Sequence, residues 1–254
     1  MAPLVDVPVD KRLAFDPERN AQQDVMFARG MNSGMGGYEQ AIAGRKRALF
    51  SEVFSRLPTD TEVTVVEVGM GTFPNAPYYF DPAVHGGIRR RIDLVGVDPN
   101  DAMELFARDN LARVAGAPST SASALVPGEP SLRIVHGVAE ALPLRTHSAD
   151  AVVCTLTLCS VLDPVAAVAE IKRVLKPGAP LLFIEHVLSE DDAGLAAQQV
   201  RFNGLQMAMA DGCHLDRKTL DVVNAAGFAS VQAERFNLPG FGLISSQVAG
   251  IAVA

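Results

Sequence analysis

The sequence has little cysteine, few clusters of positive charge and no long apolar run near its N-terminus. Its three cysteines, Cys154, Cys159 and Cys213, show no pairing pattern, so we expect a reducing compartment and no disulfide framework. A structural zinc site usually needs four Cys or His ligands at short spacings, which the sequence lacks, so we expect no metal site. We expect a cytoplasmic location, or an organelle if a leader is removed.

The scarcity of clustered positive charge makes nucleic acid a poor partner. The formal net charge is −7, and three basic residues run together only at Arg45–Arg47 and Arg89–Arg91. Phosphate backbones are bound by clustered cations. The first residues also contain no apolar core long enough for a signal peptide or a membrane span. We therefore expect a small-molecule partner, and the oligomeric state stays open.

From residue 63 onward, strand-like and helix-like patterns alternate. Strands are predicted at residues 63–68, 93–97, 132–135, 151–156, 181–185, 228–236 and 245–253. Helices are predicted between them at residues 99–115, 165–175, 193–210 and 218–226. The alternation predicts a parallel sheet covered by helices on both faces. Only a short loop separates the last two strands, so we expect them to pair antiparallel.

Two glycine-bearing segments lie outside the predicted helices and strands. Residues 30–37 and residues 116–130 are both rich in loop-forming residues, so each is predicted as a loop. Residues 38–57, which follow the first segment, have the apolar spacing of a helix. We divide the chain into an N-terminal arm with a covering helix, residues 1–57, and one α/β domain, residues 58–254.

The most informative stretch follows the first strand. The apolar run ends in Glu67 and Val68 and then breaks at Gly69 and Gly71. Glycines remove side chains where a ligand approaches the backbone, and free N–H groups at a helix start bind polar or anionic groups. This pattern predicts a nucleotide-type cofactor, but a short glycine motif does not fix its chemistry.

Residues at the other strand ends narrow the choice of cofactor. Asp98 follows the second strand, where a carboxylate suits the two hydroxyls of a ribose. A dinucleotide fingerprint would need a small residue at Pro74. Glu67 suits a cationic ligand more than a pyrophosphate, and Ala139 and Glu140 offer an apolar slot and an acid for adenine. Together these features favour S-adenosylmethionine, which is cationic and has no phosphate.

Several motifs resemble those of class I S-adenosylmethionine methyltransferases. They are Glu67-Val-Gly-Met-Gly-Thr72, Gly96-Val-Asp-Pro-Asn100, Gly137-Val-Ala-Glu140 and Arg173-Val-Leu-Lys-Pro-Gly178. Over residues 45–253 the chain is most similar to the thiol S-methyltransferases of the methyltransferase-like group. The more specific segments are Arg45–Phe50, Val152–Val161, Glu185–Val187, Gln198–Val200 and Asp211–Leu215.

This resemblance implies a Rossmann-like α/β fold with a seven-stranded, mostly parallel sheet, its last strand antiparallel and helices on both faces. It implies methyl transfer from S-adenosylmethionine to a small acceptor, and the specific segments favour a thiol. Carbon or oxygen methylation of a quinone or other natural product stays open, as does a non-catalytic S-adenosylmethionine-binding module. The expected cofactor-binding residues are Glu67, Gly69, Met70, Gly71, Phe73, Asp98, Pro99, Val138, Ala139, Glu140 and Thr155.

A thiol acceptor must lose a proton before it attacks, and a base in the site would take that proton. The candidates are His186, Asp211 and His214, because imidazole titrates near neutrality and a carboxylate can accept a proton. Each could instead be a core or surface side chain or part of a turn. The expected substrate-side residues are Cys159, Gln199 and Cys213, whereas Cys154 reads as a buried apolar residue.

The chain departs from the family pattern at three places. Phe73 stands where relatives have a third glycine, so its ring either lines the cofactor or changes the loop path. That ring is also the feature that favours a non-catalytic module, because it could block the position of the methyl donor. Relatives begin with a hydrophobic membrane-anchoring segment that this N-terminus lacks, and residues 81–92 read as a local insertion.

Overall fold

The computed structural model describes residues 4–16, 18–85, 91–115 and 131–254. Within these ranges the strands are β1 Val63–Val68, β2 Ile92–Asp98, β3 Ser131–His136, β4 Ala151–Thr155, β5 Pro180–His186, β6 Ser230–Asn237 and β7 Ser246–Val253. The helices are α1 Val9–Phe15, α2 Ala21–Gly34, α3 Gly36–Arg56, α4 Ala76–Phe80, α5 Pro82–His85, α6 Met103–Ala115, α7 Pro164–Val174, α8 Ala193–Met209 and α9 Thr219–Ala225. The predicted loop at residues 116–130 lies outside the described residues.

The strands form a seven-stranded sheet in the order β3-β2-β1-β4-β5-β7-β6. The first five strands are parallel, and β7 runs antiparallel to both β5 and β6. The strand order reverses between β1 and β4, which is where open parallel sheets bind ligands. The predicted sheet, with its antiparallel last strand, is confirmed.

Alternate residues of the central strands point to opposite faces of the sheet, and helices cover both. Val66 and Val152 belong to one buried cluster with Ile171 of α7. Val65 belongs to a second cluster with Phe50 of α3. A strand buried on both faces reads as a continuous apolar run, which is why β1 was visible in the sequence. The expectation of helices on both faces is confirmed.

The predicted loop over residues 30–37 is wrong. Helix α2 continues through Gly34, and α3 begins at Gly36 after a break at Met35 alone. The Asn20 side chain caps the start of α2, and Tyr38 and Ile42 of α3 are buried. Capping and burial therefore outweigh the low helix propensity of glycine. Within the described ranges, no helix is long and apolar enough to cross a bilayer.

Candidate active site

The turn after β1 brings bare backbone to the carboxyl edge of the sheet. Gly69 and Gly71 have φ values of 64° and 56°, in the left-handed region that glycine readily adopts. The Gly69 N–H donates to the Val97 carbonyl (2.8 Å), which ties the turn to β2. A Cβ built on Gly69 would lie 2.2 Å from Thr157 Oγ1, whereas one on Gly71 would meet nothing within 4 Å. Packing therefore demands glycine at position 69, and position 71 adjoins open space.

Asp98, the last residue of β2, turns its carboxylate toward this turn. The Gly71 N–H donates to Oδ2 (2.8 Å), and the Asn100 N–H donates to Oδ1 (2.9 Å). Burial raises the pKa of Asp98 to about 6, although both hydrogen bonds and the charge of Arg19 act to lower it. Each oxygen keeps a further lone pair, so the carboxylate can accept two more hydrogen bonds.

A cavity of about 290 Å³ lies at the switch point of the sheet, beside Asp98 and the glycine turn. It will be called the inner cavity. Eight of the residues predicted from the sequence line it: Gly69, Gly71, Asp98, Pro99, Val138, Ala139, Glu140 and Asp211. The structure thus gathers residues from three strand ends around one space, with an acid on one side and apolar backbone segments on another.

Glu67 lies outside the lining of the inner cavity. Its carboxylate accepts from Asn75 Nδ2 (2.9 Å) and from the Tyr79 hydroxyl (2.8 Å). Lys46 Nζ donates to Asn75 Oδ1 (2.8 Å) and to Glu39 (2.7 Å), which orients the Asn75 amide so that its nitrogen faces Glu67. Burial raises the pKa of Glu67 to about 7, and the bonds from Tyr79 and Asn75 oppose that rise. This network links α3 to β1 and to the turn.

Three further residues predicted for the cofactor also point away from the inner cavity. The Met70 sulfur packs so closely on Gly96 that a Cβ there would lie 2.2 Å from it. Phe73 is buried in the left-handed conformation, with φ 60°, and its ring lies 5.7 Å from that of Tyr79. The Thr155 hydroxyl accepts from Asn75 Nδ2 (3.1 Å). Phe73 therefore takes the glycine-like backbone conformation and packs into the core.

Two buried acids hold the segment that follows β4. Glu185 accepts hydrogen bonds from the backbone N–H groups of Thr157 (3.0 Å), Leu158 (3.0 Å) and Cys159 (3.3 Å). Glu140 Oε1 accepts from the N–H of Leu162 (2.6 Å) and Asp163 (3.1 Å), just before α7. Glu140 also lines the inner cavity, and its Oε2 is not used in these bonds. Together the acids fix the path of residues 157–163.

Cys159, His186 and Cys213 meet behind this segment rather than in the inner cavity. His186 Nε2 lies 3.0 Å from Cys213 Sγ, and Gln206 Nε2 lies 3.5 Å from the same sulfur. Hydrogen bonding from Cys159 and then from His186 lowers the pKa of the Cys213 thiol. The same contact with Cys213, together with burial, raises the pKa of Cys159. The two thiols and the imidazole form one buried cluster.

The remaining predicted residues lie farther from the inner cavity. Gln199 is fully buried, and its amide joins Ser189 N–H (2.8 Å) to the carbonyls of Val187 (3.0 Å) and Leu243 (2.9 Å). These bonds hold α8 against the loop before β7. His214 is partly exposed, with Nδ1 3.6 Å from Asp216. Of the three predicted bases, only Asp211 lines the inner cavity, and the roles of all three stay predictions.

A second, larger cavity of about 680 Å³ opens beside the first and will be called the outer cavity. Five residues line both: Arg19, Phe27, Met31, Asp211 and Gly212. Arg19 donates to both Asp211 oxygens at 2.9 Å and to Asp24 at 2.8 Å, so this ion pair stands between the cavities. Asp211 has φ 49°, a strained value for a residue other than glycine.

Sequence reasoning missed two groups of lining residues. The N-terminal arm contributes Phe15, Asp16, Arg19, Phe27 and Met31, and the segment after β4 contributes Leu156, Thr157, Ser160, Val161 and Leu162. The second group follows a strand end, which is a usable signal. Nothing in the sequence of α1 and α2 shows which of their residues face the sheet edge.

Comparison with known proteins agrees with this geometry. Residues 66–183 match the family model described as a methyltransferase domain. Thiol S-methyltransferase TMT1B of Rattus norvegicus is 33% identical over 194 residues, which cover 76% of this chain and 71% of the relative. Human thiol S-methyltransferase TMT1A is 29% identical over 217 residues, covering 85% and 81%.

Solved structures support the fold. A chain from the complex between the Haloferax volcanii Trm112 methyltransferase activator and a methyltransferase superposes with a TM-score of 0.62 at 16% identity. The match covers 93% of this chain and 99% of that one. The similarity in sequence to TMT1B, and not this distant structural likeness, shows the family. The chain belongs to the thiol S-methyltransferase family of class I methyltransferases, and its cofactor is S-adenosylmethionine.

Proposed function

We propose that this enzyme transfers the methyl group of S-adenosylmethionine to the sulfur of a small thiol with an apolar body. The observation that carries the proposal is the pair of cavities that meet at Arg19 and Asp211. The inner one has the polar groups that a nucleoside needs. The outer one is lined by the methionines Met26, Met31, Met207 and Met209, whose flexible thioether side chains suit varied apolar guests. The relatives' names as thiol S-methyltransferases support sulfur as the acceptor.

The inner cavity fits the cofactor on the chemistry of its lining. Asp98 can accept both ribose hydroxyls with the lone pairs that Gly71 and Asn100 leave free. Val138 and Ala139 offer an apolar surface for adenine, and the unused Glu140 oxygen is a candidate acceptor for its amino group. We assign the ribose site to Asp98 and the adenine site to residues 138–140.

The N-terminal arm, residues 1–57, covers the cofactor in this proposal. Phe15, Arg19 and Phe27 line the inner cavity, and Asn100 Nδ2 donates to the Asp24 carbonyl (3.2 Å). His136 at the end of β3 contacts Asp16 at 2.8 Å. These contacts support the arm as a cover that keeps water from the reacting atoms.

S-adenosylmethionine, when bound, supplies a methyl group on a sulfonium, which a thiolate attacks directly. The task of the protein is therefore to orient two partners and to exclude water. A free thiol has a pKa of about 8.5, and the Asp211 carboxylate is already engaged by Arg19 through both of its oxygens. We assign thiol ionisation mainly to solvent, and we place Asp211 and Arg19 as positioning residues at the boundary of the cavities.

The buried position of Phe73 weighs against a non-catalytic module. That alternative rested on a ring blocking the methyl donor, and the ring packs on Tyr79 outside the lining of the inner cavity. A reducing compartment, which the free cysteines favour, remains our prediction for where the enzyme works.

The decisive experiment gives the full-length protein labelled S-adenosylmethionine and a panel of acceptors. Aliphatic thiols, aryl thiols and hydrogen sulfide test sulfur, and quinols and catechols test carbon and oxygen. We expect methyl thioethers by mass spectrometry, with rates that rise toward pH 8.5 as the thiol ionises. Methylated quinols without methylated thiols would move the function to the quinone alternative. Binding of S-adenosylhomocysteine with no methylated product from any acceptor would favour the non-catalytic module.

A further inference from the structure

The cluster of Cys159, His186 and Cys213 has a geometry that the methyl-transfer proposal does not use. Each residue lies 27 positions from the next, and each comes from a different element. Cys159 follows β4, His186 ends β5, and Cys213 follows α8. Their sulfur and nitrogen atoms all lie within 4.8 Å of one another. All three side chains are at least nine-tenths buried.

Backbone contacts outside the cluster hold it in place. The Cys159 N–H donates to Glu185 (3.3 Å), and its carbonyl accepts from the His214 N–H (2.8 Å). The Cys213 N–H donates to the Ala210 carbonyl (3.0 Å). These backbone contacts fix the loops so that the two thiols face each other, and the thiols also hydrogen-bond to each other. Such preorganisation is what a metal site needs.

The imidazole of His186 is available as a ligand. Its Nε2 faces Cys213 Sγ at 3.0 Å. Its Nδ1 is buried and has no hydrogen-bond partner among the described residues. Among the described residues only Cys213 contacts a ring nitrogen, so metal binding would exchange this one contact between Nε2 and the thiol for bonds from both atoms to the cation.

We propose that Cys159, His186 and Cys213 bind one soft divalent metal ion of the zinc class. Two thiolates balance a double positive charge, and two sulfurs with one imidazole are ligands that zinc prefers. Around a tetrahedral zinc, ligating sulfurs lie about 3.8 Å apart and sulfur and nitrogen about 3.6 Å apart, so shifts below about 1 Å would complete the site. The sequence alone does not indicate this metal site, because spacings of 27 residues match no short zinc motif.

Two neighbouring side chains can complete the coordination. The Ser160 hydroxyl lies 3.7 Å from Cys159 Sγ, and the Gln206 amide lies 3.5 Å from Cys213 Sγ. Among the described residues, no fourth Cys, His, Asp or Glu joins the group. Ser160 and Gly212 also line the inner cavity, so the ion would sit directly behind the wall that receives the cofactor.

The test titrates the full-length, metal-stripped protein with Co²⁺, in the absence of cofactor and acceptor. We expect one equivalent to give the near-ultraviolet cobalt–thiolate charge-transfer band and the strong visible bands of tetrahedral cobalt, both removed by one equivalent of Zn²⁺. Zinc should also raise the melting temperature, because it binds only the folded chain tightly. Since neither readout involves methyl transfer, failure here leaves the proposed function standing.

Matched cysteine variants locate the site. Cys159→Ser and Cys213→Ser should each weaken cobalt affinity at least tenfold and remove most of the charge-transfer band. Cys154→Ala is the control, because Cys154 is buried nearby but outside the cluster. The Cys154→Ala variant should keep both the cobalt affinity and the charge-transfer band of the wild-type protein. Absence of stoichiometric cobalt or zinc binding by the wild-type protein overturns the proposal, whatever the variants do. So does equal loss of binding in Cys154→Ala and Cys213→Ser.

Discussion

The carboxyl edge of the sheet has two sides that are built in different ways. Over β1 and β2, the polar groups of the inner cavity stand at strand ends and in the turns that follow them. Asp98, for example, accepts from Asn100 two residues later and from the turn after the neighbouring strand. Over β4 and β5, the thiol cluster joins segments that are 27 residues apart. The residues of the first side can be recognised from the strand ends in the sequence, whereas the second side is visible only in the fold.

Buried acids show the same contrast at the level of single residues. Asp98 and Glu185 both end or nearly end a strand, and both accept backbone hydrogen bonds. Asp98 uses two such bonds and borders a cavity, whereas Glu185 uses three and is enclosed. A backbone-bonded acid is thus a ligand site or a support for a loop, and its access to open space decides which.

The largest effect that would sharpen this comparison comes from the glycine turn. Gly69→Ala should lower the free energy of unfolding by about 2–5 kcal/mol, because it adds a clash with Thr157 to the left-handed strain. Gly71→Ala is the matched control, with the same strain and no neighbour within 4 Å, and should lose about 1–2 kcal/mol. Urea denaturation measures both. Equal losses of stability in the two variants would mean that the close approach of Gly69 to Thr157 adds nothing to the cost of the substitution.

The next largest effect separates the two acids of the cofactor side. Asp98→Asn should weaken S-adenosylhomocysteine binding ten- to a hundredfold, because a charge-assisted bond is worth about 1.5–3 kcal/mol. Glu67→Gln should change that affinity less than twofold, since Asn75 and Tyr79 occupy its carboxylate outside the inner cavity. Calorimetry on both folded variants measures this. A large loss in Glu67→Gln would place Glu67 at the cofactor after all.

The same two sides of the sheet edge differ in how much of the fold and the site the sequence predicts. The strands of the parallel sheet were visible because burial on both faces makes apolar runs, and Asp98 was visible because it ends one of them. At Phe73 the sequence left two outcomes open, a ring that lines the cofactor or a changed path of the loop. The backbone there adopts φ 60° and sends the ring into the core, and no residue pattern reveals that outcome.

The partners of internal acids were beyond prediction for a related reason. Glu67 and Glu140 were both recognised as significant, yet their partners are fixed by side-chain geometry between α3, the turn and the segment after β4. The helices α2 and α3 continue through glycines because they pack on the domain, which overrides local propensity. Long-range packing is thus what the sequence does not display.

The pH dependence of cofactor binding gives a smaller, signed test. The pKa of Asp98 in the free protein is raised to about 6, and hydroxyls that donate to the carboxylate lower it in the complex. Affinity is therefore at its full value above pH 7 and is lost as pH falls through 6. By linkage, S-adenosylhomocysteine should bind about tenfold more weakly at pH 5 than at pH 7. Asp98→Asn should bind with the same affinity at both pH values. A wild-type profile that is level across this range would contradict the assignment of the ribose site.

The smallest expected effect lies where the inner and outer cavities meet, at the ion pair between Arg19 and Asp211. This pair is partly exposed, and such pairs contribute about 0.2–1 kcal/mol. Arg19→Gln should therefore weaken S-adenosylhomocysteine binding only two- to fivefold, by loosening the arm over the inner cavity. Because salt screens exposed charges, the difference between wild type and Arg19→Gln should shrink at high salt, whereas the Asp98→Asn defect should persist. The loss of affinity in Arg19→Gln could instead be as large as that in Asp98→Asn and insensitive to salt. That result would show that Arg19 contacts the ligand itself. The boundary between the two cavities would then belong to the cofactor site.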